Sequence, residues 1–152
     1  VILSEKIAKH DSIFIDTAPF IYFIEAHKQF GPLTREIFTS INALKIKGIT
    51  SVLTLTELLP KPISIGNNEL AGIFSEYLRR GNNLELIEIS ADIAEEAGIL
   101  RGRYQSLKTI DALQIAAAVH AKADIFLTND KGLKKIEEID IIILSDYHQN
   151  DV

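Results

Sequence analysis

Five short runs rich in β-branched and aromatic residues recur along this 152-residue chain, and segments of helical periodicity separate them. Residues 12–15, 49–53, 84–89, 124–128 and 141–144 read as strands. Their near-continuous apolar character is what a strand covered on both faces requires. The intervening segments are long enough to be helical crossovers, which permit parallel pairing. The pattern predicts an α/β fold of three α/β/α layers, with a parallel four- or five-stranded sheet, in a single domain spanning residues 1–152. In such sheets the functional cleft lies at the carboxyl ends of the strands.

The helical segments carry their own punctuation. A helix over 18–30 has Pro19 in its first turn and Gly31-Pro32 as its close. A second, over 33–47, puts Ile37, Phe38, Ile41 and Leu44 on one face, with Gly48 as its stop. Thr54 or Thr56 is expected to cap a short helix containing Glu57. Pro60, Pro62 and Gly66-Asn67-Asn68 mark a loop, and helices follow over 69–80, 91–104 and 109–121. The last of these is apolar nearly all round and should be central. A one-turn helix is expected near Leu133.

Composition narrows the chemistry. The absence of cysteine excludes disulfide frameworks, thiolate zinc sites and cysteine nucleophiles. No apolar run approaches the roughly 20 residues a bilayer span needs. No basic segment followed by an apolar one opens the chain, so a cytoplasmic protein is expected. The net charge of −5 argues against coating nucleic acid by bulk charge. It leaves room for an enzyme whose acids are concentrated at a metal site.

The acids do fall in a pattern. Asp16 follows the first strand, Asp130 follows the fourth, and Glu57 lies just beyond the second. Parallel neighbours would bring all three to one edge of the sheet. Asp111, in the first turn of the central apolar helix, is the fourth candidate. Asp11 and Asp124, at strand starts, read as solvated turn residues. Each acid alone has an ordinary structural reading, as a helix cap, a first-turn acid or a turn residue. Together they need neutralising, and oxygen ligands without sulfur suit Mg²⁺ or Mn²⁺. Such an ion can orient water for attack on a phosphodiester.

Four segments carry a family resemblance: Phe14-Ile15-Asp16-Thr17, Ser51-Val52-Leu53-Thr54-Leu55-Thr56-Glu57-Leu58, Ile110-Asp111-Ala112-Leu113-Gln114-Ile115-Ala116-Ala117-Ala118, and Leu127-Thr128-Asn129-Asp130-Lys131-Gly132-Leu133. In this order and spacing they resemble the PIN-domain family, of the kind found as VapC-type toxins in bacterial toxin–antitoxin pairs. The resemblance implies a PIN-like fold and a metal-dependent endoribonuclease. It implies that Asp16, Glu57, Asp111 and Asp130 form the catalytic and metal-binding set, with Thr128 helping to hold the site; Thr17 and Asn129 are taken as further supporting residues. It also implies an antitoxin that blocks the site, which we expect to present basic residues to the acidic pocket. A homodimer is expected. The chain departs from the family pattern at Ala18, where many members have Asn, and at Leu133, where Phe is common. Neither change removes an acid.

Basic residues flank two of the acids. Arg101, Arg103 and Lys108 precede Asp111, and Lys131, Lys134 and Lys135 follow Asp130. Of these, Arg101, Arg103, Lys108 and Lys131 are the candidates to hold phosphates of an RNA strand, with ordinary surface charge as the competing reading. Tyr104 is either a stacking platform or a core-edge residue. His10, His27, His120 and His148 show no ligand spacing. An aspartyl-phosphate enzyme would also place Asp16 at a strand end, but the second Asp common in those phosphatases is replaced by Ala18. Two alternatives remain: a non-catalytic PIN-like module docking a basic partner, and a DNA-directed nuclease.

Overall fold

The computed structural model describes residues 2–147, so His148 lies outside the described residues. Strands β1 (Ser12–Ile15), β2 (Lys47–Ser51), β3 (Leu84–Ile87), β4 (Ile125–Thr128) and β5 (Asp140–Ile143) form one sheet in the order β3-β2-β1-β4-β5. Every neighbouring pair is parallel. The helices are α1 (Leu3–Ile7), α2 (Thr17–Ile24), α3 (Gly31–Asn42), α4 (Val52–Leu58), α5 (Pro60–Ser64), α6 (Asn68–Arg80), α7 (Ala91–Arg103) and α8 (Thr109–His120). Short 3₁₀ turns cover Lys131–Leu133 and Leu144–Asp146.

The period-two alternation of the strands divides the core in two. Ile13, Ile15, Ile125 and Leu127 face one side, against Leu3, Phe20, Ile37, Ile41, Phe74 and Leu78 of α1, α2, α3 and α6. Phe14, Ile49 and Phe126 face the other, against α7 and α8. Phe14 and Phe126 are register partners on the two central strands, and their rings stack 5.3 Å apart at 6°. Helix α8 meets this layer with a run of alanines, Ala116, Ala117 and Ala118, all fully buried. Their small side chains let the helix approach the sheet closely. Among the described residues no helix is long and apolar enough to cross a membrane.

Several boundaries differ from the sequence expectation, each for a local reason. Helix α1 is additional to the expected elements; it docks Leu3 and Ile7 into the first core layer. The helix expected over 18–30 starts at Thr17, capped by Asp16, and stops at Ile24, and the chain then turns through Ala26 at a φ of 50°. Gly31 and Pro32 open α3 rather than closing α2. Gly48 is not a helix stop but part of β2: a Cβ there would lie 2.9 Å from Ile41 Cδ1 and 3.0 Å from Leu84 Cδ1. The turn before it is made at Leu44, with a φ of 63°. Ser51, not Thr54 or Thr56, caps α4, its hydroxyl accepting the Leu53 amide at 3.1 Å. Pro60 starts the short helix α5 inside the expected loop, and Asn67 caps α6. Asp124 is not simply solvated: its carboxylate accepts the amides of Asp11 and Ser12 at 2.7 and 3.2 Å, pinning the start of β1 beside β4.

The stacked phenylalanines generate a stability prediction. Phe126→Ala removes a fully buried ring from the sheet centre, and we expect a loss of about 3–5 kcal/mol in denaturant unfolding. A loss below about 1 kcal/mol would mean that this layer tolerates collapse and does not set the strand register.

Candidate active site

Asp16 is the first residue beyond β1, and three bonds hold it. Its amide donates to the carbonyl of Leu127 at 2.9 Å, extending the β1–β4 ladder by one step. Its Oδ1 accepts the Thr17 amide at 2.9 Å, which makes Asp16 the N-cap of α2. Its Oδ2 accepts the Thr128 hydroxyl at 2.8 Å. Thr128 ends β4, and the register that pairs Ile15 with Leu127 brings it beside Asp16. The same hydroxyl oxygen accepts the amide of Asp130 at 3.1 Å. Asp130 in turn caps the following 3₁₀ turn, its Oδ1 accepting the Gly132 amide at 2.8 Å.

Glu57 arrives from the other neighbour of β1. Because α4 begins directly after β2, its second turn carries Glu57 back towards Asp16, and the Thr17 hydroxyl donates to Glu57 Oε1 at 2.7 Å. Asp111, in the first turn of α8, is partly buried. It shares with Asp130 a cleft of about 280 Å³ that Ser106, Lys108, Leu133 and Lys135 also line. Two acids are thus joined by direct hydrogen bonds through threonines, and the other two form a cleft wall.

The charges are felt in the titration of the group. Asp16 is pushed up to about 6, chiefly by burial, with Asp111 and Glu57 adding to the rise against the pull of its bonds from Thr128 and Thr17. Burial also raises Asp111, with Asp130 and Glu57 adding to the rise and Lys108 opposing it. These mutual effects make the four acids one electrostatic unit. Among the described residues, no three His, Asp or Glu side chains are grouped so as to hold a metal ion as they stand. The donors available are carboxylate and hydroxyl oxygens, the kind that hard divalent cations take.

The remaining expected residues divide. Thr17 and Thr128 bond to the acids directly. Asn129 instead braces the edge from behind, donating to Tyr22 Oη at 3.1 Å and accepting the Ser145 amide at 2.9 Å. Lys108 lines the cleft, and Lys131 is exposed on the adjacent turn. Arg101 Nε donates to the Leu107 carbonyl at 3.3 Å. Arg103 is held by Glu138 at 2.9 Å, and the Tyr104 hydroxyl donates to the same carboxylate at 2.6 Å. Tyr104 therefore serves as a core-edge anchor. Lys135, at the cleft, bonds to Ser106, while Lys134 pairs with Asp146 at 3.0 Å. Gln114 and Ser51, buried near the acids, carry only an ordinary helix or cap reading in the sequence, and Thr54, expected as a cap, is buried with them.

The raised Asp16 sets a pH dependence. A carboxyl whose folded-state value lies above its ordinary 3.8 favours the fold most when protonated, so its contribution is complete below about pH 4 and is lost as pH rises through about 6. That loss is on the order of 2–3 kcal/mol. Asp16→Asn keeps an oxygen for the Thr17 amide and removes the charge. In EDTA, its melting temperature should match wild type near pH 4, exceed it increasingly between about pH 4 and 6, and keep a constant margin above that. Thermal unfolding across that range checks it, and a difference independent of pH would contradict it.

The PIN domain family model matches residues 13–139. No curated protein matches the sequence significantly. Among solved structures, DNA-bound VapBC from Salmonella typhimurium matches with a TM-score of 0.71 at 18% identity, covering 88% of this chain and 98% of that one. VapC20 of Mycobacterium tuberculosis, described as a sarcin-ricin loop cleaving toxin, matches with a TM-score of 0.65 at 17% identity, covering 84% and 98%. A toxin–antitoxin complex from Klebsiella pneumoniae gives 0.63 at 21% identity, covering 87% and 97%. At these identities the solved structures speak for the fold, while the family model spans most of the chain and all four acids, so the chain belongs to the PIN-domain family.

Proposed function

We propose that this protein is a metal-dependent endoribonuclease and the toxin of a VapBC-type toxin–antitoxin pair. The observation that carries the reading is the convergence of Asp16, Glu57, Asp111 and Asp130, from four separate elements, on the carboxyl edge of a parallel sheet. In this reading the four acids hold Mg²⁺ or Mn²⁺ directly or through water. Bound there, such an ion would supply Lewis acidity for attack of water on a phosphodiester.

The chain's own groups do the rest. Thr128 and Thr17 fix the Asp16 carboxylate through both of its oxygens or its cap, and Thr17 also fixes Glu57. Lys108, Lys135 and Lys131, at or beside the cleft, take phosphate oxygens of a single strand. Arg101 and Arg103 are tethered and contribute charge at longer range. No covalent enzyme intermediate is required.

The loose grouping of the acids also supports a second reading, a non-catalytic module that docks a basic partner at the same edge. Cleavage separates the two. Purified protein with Mn²⁺ should cut single-stranded RNA, and parallel assays with DNA define the substrate class. Asp16→Asn, Glu57→Gln and Asp111→Asn should each lower cleavage at least about a hundredfold while remaining folded. Excess Mn²⁺ should raise the melting temperature of the wild type more than that of Asp111→Asn. Wild-type rates in a folded variant would remove that residue from the site.

The partner is inferred from neighbours solved as toxin–antitoxin complexes and from the uncompensated acids. The antitoxin should present Arg or Lys to the acidic edge and compete with metal and substrate. The complex should lose nuclease activity and weaken as salt rises. A tight partner that leaves cleavage untouched would argue against this mode of inhibition.

A further inference from the structure

Beneath the acidic edge lies a polar network with no contact to solvent. Thr50, Ser51, Thr54 and Gln114 are all 0% exposed. Gln114 Oε1 accepts from Ser51 Oγ at 2.5 Å, and its Nε2 donates to Thr54 Oγ1 at 2.7 Å. Thr54 and Thr50 share a hydroxyl–hydroxyl bond of 2.8 Å, and Thr50 Oγ1 donates to the Ile15 carbonyl at 2.8 Å.

Proton counting fixes the direction of this chain. The Ile15 carbonyl can only accept, so the single Thr50 proton goes there. The proton between the two threonines must then come from Thr54. With its own proton spent, Thr54 can only accept from Gln114, so the amide nitrogen faces Thr54 and the amide oxygen faces Ser51. Ser51 Oγ, meanwhile, accepts the Leu53 amide and caps α4. Position 114 therefore needs a donor and an acceptor on one planar group. An ionised Glu has no donor, and Met has no donor and only a weak sulfur acceptor.

Each end of the network stops just short of an acid. Ile15 immediately precedes Asp16, Thr54 precedes Glu57 by three residues, and Gln114 follows Asp111 by three. On each helix that is about one turn. The hydrogen bonds of Gln114 go to Ser51 and Thr54 and to none of the acids. We infer that Gln114 is a positioning residue: through Ser51, Thr54 and Thr50 it sets the placement of α8 against α4 and β1, and so of Asp111 against Glu57 and Asp16. The inference rests on the acidic edge being the functional site proposed above.

The test compares Gln114→Met, Thr54→Val and Thr54→Ser, the last keeping the hydroxyl. At one fixed pH, carboxyl carbon-13 signals of Asp16, Glu57 and Asp111 are recorded in the metal-free protein, and cleavage of single-stranded RNA is followed with Mn²⁺. The expected result is that Gln114→Met and Thr54→Val move all three carboxyl signals together. They lower kcat about tenfold or more with KM held within about twofold, and Thr54→Ser stays close to wild type. Unmoved carboxyl signals in both disrupted variants would overturn the inference, as would a Thr54→Ser defect equal to that of Thr54→Val. If the wild type cuts no RNA, the nuclease reading fails, and the carboxyl signals still decide the role of Gln114. If Gln114→Met does not fold, the Val and Ser variants at position 54 decide it.

Discussion

The hydrogen bond from Thr128 to Asp16 depends on the parallel register of β1 and β4, and the geometry of the acidic edge follows from it. A strand's side chains alternate faces, so a slip of one residue would turn Phe14 away from Phe126 and carry the Thr128 hydroxyl past Asp16. The apolar pairing at the sheet centre thus enforces a polar pairing one step beyond it. Because all five strands run the same way, their carboxyl ends share one edge. What leaves β1, β2 and β4 there is an acid, a helix bearing an acid, and a turn capped by an acid.

That inheritance explains which parts were legible in the sequence. Asp16 and Asp130 terminate strands, and strand runs are among the clearest local signals. Glu57 can be placed because α4 follows β2 with no loop, although Ser51, rather than Thr54 or Thr56, caps that helix. Asp111 stood out because the helix it begins is apolar nearly all round. The helix ends were less legible, since the residues that decide them act across space. Gly48 is needed where Ile41 and Leu84 close in, which no window of neighbouring residues reveals.

The buried polar network was illegible for the same reason. Gln114 alone looks like one polar residue on an apolar helix, and Ser51 and Thr54 look like generic cap and helix residues. Their meaning comes from partners 60 and 63 positions away in the chain. Arg103 and Tyr104 show the converse. Local sequence set Arg103 near Asp111 as a phosphate contact, yet Glu138, distant in sequence, accepts from it, and the same carboxylate accepts the Tyr104 hydroxyl, in keeping with the core-edge reading of that tyrosine.

The placement of the ion pairs bears on how the edge is neutralised. Among the described residues, the five salt bridges join Lys6 to Asp140, Lys47 to Glu85, Arg80 to Glu76, Arg103 to Glu138 and Lys134 to Asp146. None involves Asp16, Glu57, Asp111 or Asp130. Asp16, Glu57 and Asp130 are held by hydroxyls and amides instead, groups that orient a carboxylate without cancelling its charge. A permanent Arg partner would stabilise the metal-free fold and spoil the edge for a cation. The negative charge can then be relieved from outside in three ways: by a proton, which the raised Asp16 accepts near pH 6, by a divalent ion, or by a cationic side chain of a partner. These three compete for the same carboxylate oxygens. In the proposed reading, activation by metal and inhibition by a basic antitoxin are therefore two outcomes of one electrostatic imbalance, and acidification opposes both.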